Sequence, residues 1–281
     1  DTSFDYLPEK MREGVRDFSA AAERIFEFNK QLVDHLYDVV PSVKVQIAYY
    51  EMYGVPGLKA FEETLRYASE KGLIVIADAK RNDIGSTAAC YSTAFLGETS
   101  VEGMRFRAFP ADYVTVNGYL GTDGIQPFVK DCAEKDRGIF VLVKTSNPSS
   151  GELQNRLFDD GTPVYEYMGA LVEKWGAGTE GRYGYSAVGA VVGATHPEEA
   201  ARLRKLLPHT FFLIPGYGAQ GANAEMLRCC FGADGLGGVV NNSRGILCAY
   251  KKDGGLYYES ARKAAIAMQE DLSRTIGKMG R

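Results

Sequence analysis

Short apolar, β-branched runs recur along the chain, and each is followed by a stretch whose apolar positions repeat at helical spacing. The runs are Val43 to Tyr49, Leu73 to Asp78, Tyr113 to Val116, Ile139 to Val143, Ala187 to Val192, Phe211 to Ile214 and Gly238 to Asn241, which predicts seven strands. Between the first two, Leu58, Phe61, Leu65 and Ala68 fall on one helical face, entered at Pro56 and left at Gly72. Ile25, Phe28, Leu32 and Leu36 predict a first helix within residues 8–40, and a later helix is expected from Val164 to Trp175. Repeated βα units imply a parallel sheet, either open and doubly wound or closed as a (β/α)8 barrel. The expectation is an α/β chain forming a single (β/α)8 TIM barrel over residues 1–281, with a long loop and helix insertion around 147–186. An eighth strand would precede the first helix, and the sequence places it upstream of Asp1. A long loop at 147–186 on the mouth of a barrel suggests a lid.

Composition narrows the classes without choosing among them. The chain has 281 residues, 45% hydrophobic and 24% charged, enough for one sizeable core. A net charge of -4 argues against a nucleic-acid polymer as partner but leaves room for a local basic pocket. The five cysteines contain no C-x-x-C pair and read as reduced thiols in a cytoplasmic protein. No secretory h-region and no apolar run long enough for a bilayer is present, so no membrane role is expected. The three histidines lack metal-ligand spacing, and no Ser-His-Asp pattern stands out.

The chemistry gathers after the second run. Leu73 to Ala77 is unbroken apolar sequence, and Asp78-Ala79-Lys80-Arg81-Asn82-Asp83-Ile84 follows at once. Alternation along an extended strand sends Asp78 and Lys80 to one side, with Asp83 just beyond the strand end. Ionised groups are rarely buried unless paired or working, so acid, base and acid together mark a candidate site. Lys44, inside the first predicted strand, is either a snorkelling lysine or a partner of Asp78 and Asp83 in an alternating network. Asp83 could equally cap the helix that starts at Gly85. Ser146, after the Ile139 to Val143 run, could read a ligand amide or cap a turn.

Two signals of the kind that hold phosphate lie in consecutive loops near the end. Pro215-Gly216-Tyr217-Gly218-Ala219-Gln220-Gly221 offers close backbone approach and the Gln220 amide. Asn241-Asn242-Ser243-Arg244-Gly245 offers a guanidinium fork matched to phosphate oxygens. Each alone is as well read as a tight turn or a surface charge.

In its Asp78-x-Lys80-x-x-Asp83-Ile84-x-x-Thr87 run the chain resembles the orotidine 5'-phosphate decarboxylases. Lys44, Ser146-Asn147-Pro148, the Pro215 to Gly221 loop and Arg244 follow in the order that resemblance requires, and the stretch from Val143 to Ser150 is similar to the longer bacterial-type branch. The resemblance implies a (β/α)8 barrel, a homodimer, no metal or organic cofactor, and conversion of orotidine 5'-monophosphate to uridine 5'-monophosphate in pyrimidine biosynthesis. It implies Lys80 as proton donor to C6 of the pyrimidine and Asp78 as the carboxylate beside the departing CO2. Asp83 and Thr87, with Ile84 between them, would complete the neighbouring subunit's site. Lys44 would serve the ribose and the charge network, and Ser146 the pyrimidine edge. Pro215, Gln220, the Ser243 backbone and Arg244 would surround the phosphate. Asp1 would be the aspartate that closes the missing first strand and holds a ribose hydroxyl. Rival readings remain: a Mg2+-dependent barrel acting on sugar phosphates, a Schiff-base aldolase using Lys80, and a non-catalytic nucleotide-binding module.

Overall fold

The computed structural model describes residues 1–218 and 221–277. All seven predicted strands form, and a hairpin that the pattern does not announce lies between two of them. In chain order the strands are β1 (Ser42–Gln46), β2 (Ile74–Arg81), β3 (Thr99–Val101), β4 (Met104–Phe106), β5 (Tyr113–Val116), β6 (Gly138–Lys144), β7 (Val188–Val192), β8 (Phe212–Pro215) and β9 (Gly238–Asn241). The main sheet runs β1-β2-β5-β6-β7-β8-β9, so each new strand is added beside the one before it. A doubly wound sheet reverses its order at a switch point; this sheet keeps the sequential order of a (β/α)8 barrel. Pairing is parallel where β1 meets β2, β6 meets β7, and β8 meets its neighbours on either side.

β6, β7 and β8 are apolar on both faces because both faces are covered. Every residue of β7 is buried, and so are Phe212, Leu213 and Ile214 of β8. Gly189 on β7 is held to glycine by its neighbour: a Cβ there would lie 2.6 Å from the Phe140 ring.

The chain packs as two compact units. One comprises Asp1–Ala79, Ala94–Val114 and Ser243–Gln269. In it the helix Phe18–Leu36, capped by Asp17, which accepts from the Ala20 amide, buries Ile25, Phe28, Leu32 and Leu36 against the helix Gly54–Glu70. Phe28 stacks on Tyr257 with ring centroids 4.6 Å apart, and Asn29 donates to Tyr50 at 2.7 Å. The hairpin β3 and β4 also belongs here. Its residues are exposed throughout, and Glu102 and Gly103 turn it with positive φ.

The other unit comprises Lys80–Thr93, Thr115–Asn242 and Glu270–Arg281. Its helices Thr122–Lys135, Val164–Gly176 and Pro197–Leu206 alternate with the strands, and Trp175 donates to Thr122 Oγ1 at 3.0 Å.

Three boundaries differ from the pattern. The run from Val43 to Tyr49 is strand only to Gln46, because Ile47 turns to φ -61 and ψ -31 and opens the helical turn Ala48–Glu51. Pro56 is the third residue of its helix rather than the first, a position that still lacks an intrahelical acceptor for an N–H. Residues 147–186 hold the turns Pro148–Ser150 and Gly151–Gln154 before the helix Val164–Gly176, so about half of that stretch is helical and the rest is loop. Among the described residues no helix is long and apolar enough to cross a membrane.

Candidate active site

β1 and β2 pair in register, with Lys44 opposite Ile76 and Gln46 opposite Asp78. Lys44 and Gln46 are two residues apart and share a face, so both reach the same carboxylate. Lys44 Nζ lies 2.7 Å from Asp78 Oδ2, and Gln46 Nε2 donates to that oxygen at 2.9 Å. Lys44 also meets Asp1 Oδ1 at 3.1 Å, while Ser243 Oγ donates to Asp1 Oδ2 at 3.0 Å. The result is a chain of alternating charge and hydrogen bonds, Ser243 to Asp1 to Lys44 to Asp78, across the ends of β1 and β2. Asp78 is 6% exposed, so its charge is held by these partners rather than by water.

Lys80 departs from the extended path on which the same-side argument rests. Its φ is +50, in the left-handed region, and its amide donates to Thr115 Oγ1 at 2.9 Å. Simple alternation therefore stops at Ala79: Asp78 and Ala79 are buried and Lys80 is exposed. A left-handed conformation costs a residue with a Cβ about 1–2 kcal/mol, and such strain persists where the surroundings impose it. Here the hydrogen bond to Thr115 and that from Asn117 N to Arg81 O, at 3.1 Å, fix the strand end on both sides of the kink.

Beyond it the chain turns on its own polar groups. Asn82 Oδ1 accepts from Asp83 N at 2.8 Å and Asp83 Oδ1 accepts from Ile84 N at 2.7 Å, just before the helix Gly85–Phe95. That Asp83 oxygen bonds the amide just before the helix, so it orders the turn into Gly85–Phe95. The ion-pair partners found for Lys44 are Asp1 and Asp78, so the expected pairing of Lys44 with Asp83 gives way to one with Asp1, which the sequence separates from it by 43 positions. Ile84 is 56% exposed, and Thr87 is also exposed.

Ser146 follows β6 and is half-buried. Its carbonyl accepts from Thr195 Oγ1 at 3.2 Å, and Gly193 lies so close that a Cβ there would be 2.8 Å from the Ser146 nitrogen. After β8, Gly216, Gly218 and Gly221 all have positive φ, which a loop of L side chains would resist. Gly218 N donates to Ala222 O at 2.8 Å, and Tyr217 Oη donates to Asp271 Oδ2 at 2.7 Å. Burial, then that carboxylate, push the Tyr217 phenol up to about 12. Pro215 pairs with Asn241 in the register of β8 and β9. Gln220 lies outside the described residues. Ser243 and Arg244 open the helix Ser243–Leu247, with Arg244 exposed.

With a charged strand end, a glycine-bent loop after β8 and an arginine after β9 in place, likeness to known proteins becomes decisive. The profile of the family described as orotidine 5'-phosphate decarboxylase / HUMPS matches residues 18–250. The chain belongs to that family. The orotidine 5'-phosphate decarboxylase of Clostridium acetobutylicum is 43% identical over 280 residues, covering 98% of this chain and 93% of that protein. Among solved structures, OMP decarboxylase of Leishmania donovani superposes with a TM-score of 0.72 at 29% identity, covering 98% of each chain. Leishmania donovani UMP synthase gives a TM-score of 0.75 at 32% identity, with 94% of this chain spanning 52% of that one. The chain is thus a carboxy-lyase of the orotidine 5'-phosphate decarboxylase family, built on the (β/α)8 barrel plan.

Two side chains in the neighbourhood of the decarboxylase motif escape a reading of the motif alone. Gln46 was findable, since it stands two residues after Lys44 on the same strand face. Thr115 carries no sequence signal beyond a hydroxyl within an apolar run; only the sheet order brings it to Lys80. Among the described residues no three His, Cys, Asp or Glu side chains gather as metal ligands would.

Proposed function

We propose that the chain decarboxylates orotidine 5'-monophosphate to uridine 5'-monophosphate in pyrimidine biosynthesis, without a cofactor, through a C6 carbanion that Lys80 protonates. The observation that carries this reading is the buried Lys44–Asp78 ion pair, two residues before a lysine whose backbone is held left-handed. Loss of CO2 from C6 leaves a lone pair in the ring plane, where the ring cannot delocalise it. Stabilisation must then come from placed charge. An ammonium at Lys80 favours the developing carbanion and delivers the proton, while Asp78 disfavours the substrate carboxylate by like-charge proximity. Gln46 and Lys44 hold the Asp78 carboxylate in place, so little reorganisation remains for the transition state.

Asp1 and Lys44 would hold the ribose, Ser146 the pyrimidine edge, and Pro215, Gln220, Ser243 and Arg244 the phosphate. Phosphate binding remote from C6 can supply the energy that holds the base in an unfavourable charged setting. Asp83, Ile84 and Thr87 would reach into the site of a second copy, which makes the active form a homodimer; the exposure of Ile84 and Thr87 supports that role. A cytoplasmic location accords with the reaction proposed.

The test is loss of orotidine 5'-monophosphate absorbance in the presence of EDTA, for the chain as given and for Lys80→Ala. Metal-independent turnover abolished by Lys80→Ala is the expected result. Turnover that EDTA removes, or that survives Lys80→Ala, would sink the mechanism.

A further inference from the structure

β6 reads Gly138-Ile139-Phe140-Val141-Leu142-Val143 and then ends in Lys144, whose side chain is 0% exposed. Burying an ammonium is costly unless it is well paired. Glu199 is 3.9 Å from Nζ and the Tyr165 ring centroid 5.2 Å, which offset that cost only in part. Burial accordingly lowers the ammonium pKa, with Glu199 acting the other way. A leucine or methionine would fill the same volume without the penalty, so the amine has to be explained by what it holds. Its shortest contact is to Asn155 Oδ1, at 2.5 Å.

That contact is one of two rungs across the neck of a loop. Residues 145–154 leave the end of β6 and return to it. Gln154 Nε2 donates to Thr145 Oγ1 at 2.7 Å, and Gln154 Oε1 accepts from Thr145 N at 3.0 Å. One position further out at each end, Lys144 and Asn155 make the second rung. Ser146 and Asn147 lie just inside the neck, and Thr145 Oγ1 donates to Asn147 Oδ1 at 2.6 Å. Little packing holds Asn155 in place, because it is exposed and lines an open pocket together with Tyr165, Glu198, Glu199 and Arg202. Without the ammonium its side chain has room to swing away.

We propose that Lys144 is a positioning residue: through Asn155 it closes the neck of the 145–154 loop and so fixes Ser146 for the pyrimidine edge. The role assigned to Ser146 rests on the decarboxylase reading above. Lys144 acts through Asn155 and touches no substrate. An unclamped loop must be ordered when substrate binds, and it stays ordered through the transition state. The loss therefore appears in KM and hardly in kcat.

The experiment compares the chain as given with Lys144→Met, Asn155→Leu, the double variant and Asn155→Asp, by hydrogen exchange of residues 145–154 without ligand and by steady-state turnover of orotidine 5'-monophosphate. Faster loop exchange in both single variants is expected, with KM raised about tenfold, kcat within about threefold, and the double variant no worse than the singles. Asn155→Asp, which keeps an acceptor, should match the parent. A thermal midpoint that is unchanged or raised in Lys144→Met would separate positioning from simple core support. Unchanged exchange, or faster exchange with unchanged KM, overturns the proposal. If the parent itself fails to turn over the nucleotide, the decarboxylase reading fails and the assignment to Ser146 falls with it. Exchange then decides the clamp alone.

Discussion

Lys44 Nζ stands 2.7 Å from Asp78 Oδ2, and each of the two side chains is 8% exposed. A buried pair of this kind contributes little against an apolar replacement of both members, yet breaking it by removing one partner strands the other. Lys44→Met should therefore lower unfolding stability by about 3 kcal/mol, because Asp78 and Asp1 both lose the ammonium that lies between them. Lys44→Met combined with Asp78→Leu should recover most of that loss while remaining inactive. Urea unfolding of the three proteins checks this; a double variant less stable than Lys44→Met would show that the pair itself stabilises the fold.

The left-handed backbone at Lys80 sets function against stability at one residue. Glycine adopts φ +50 without a Cβ penalty, so Lys80→Gly should be about 1 kcal/mol more stable than Lys80→Ala, with neither variant turning over. Thermal unfolding of the two variants is the measurement. Equal stability would mean that the kink relaxes once the lysine side chain is gone.

Gly193 bears on the β6 loop through shape rather than charge. An alanine there places a Cβ 2.8 Å from the nitrogen and 2.9 Å from the Cα of Ser146, both backbone atoms that cannot rotate aside. Gly193→Ala should cost about 1–3 kcal/mol of stability and raise KM for the nucleotide, by pushing Ser146 out of place. A KM equal to the parent's would indicate that Ser146 does not contact substrate.

The buried Lys144 gives a pH signature with a definite sign. Its folded-state pKa lies below the ordinary 10.5, chiefly through burial, so between the two values the unfolded chain binds more protons than the folded one. The lysine then costs stability at neutral pH, and that cost disappears as pH rises toward 10.5. Lys144→Met should be at least as stable as the parent at neutral pH, with the gap narrowing as pH approaches 10.5. Urea unfolding at a series of pH values checks the trend, and a gap that widens would contradict it.

Strands such as β6, β7 and β8 were legible because burial on both faces leaves a continuous apolar run, which few other elements of that length produce. Where the run continued past the strand, as at Ile47 and Ala48, nothing in the residue types marked the turn. The β3–β4 hairpin was invisible for the opposite reason: its residues are exposed, so no core selects their pattern. At the candidate site, the pairing of Lys44 with Asp78 was expected from their place at one barrel mouth, beside the alternative of a snorkelling lysine. Their link to Asp1 was not, since it depends on where the chain's opening residues pack. The kink at Lys80 is a backbone property imposed by Thr115 on another strand, and a lysine codes for no such conformation.

Sequential strand order means that most pairings form between segments synthesised one after the other. The unit that holds Lys44 and Asp78 is the exception, for it joins residues 1–79 to the distant segment Ser243–Gln269: Ser243 Oγ bonds Asp1, Tyr250 Oη donates to the Tyr6 carbonyl, and Phe28 waits for Tyr257. On a ribosome, the strands from β5 to β9 have their partners as they emerge, whereas the Asp1–Lys44–Asp78 chain gains its last hydroxyl only 165 residues after Asp78. The Asp1 end of this charged chain is thus completed late, and a nascent chain halted before Ser243 would carry the decarboxylase motif and its Lys44, Gln46 and Thr115 contacts without the hydroxyl that binds Asp1.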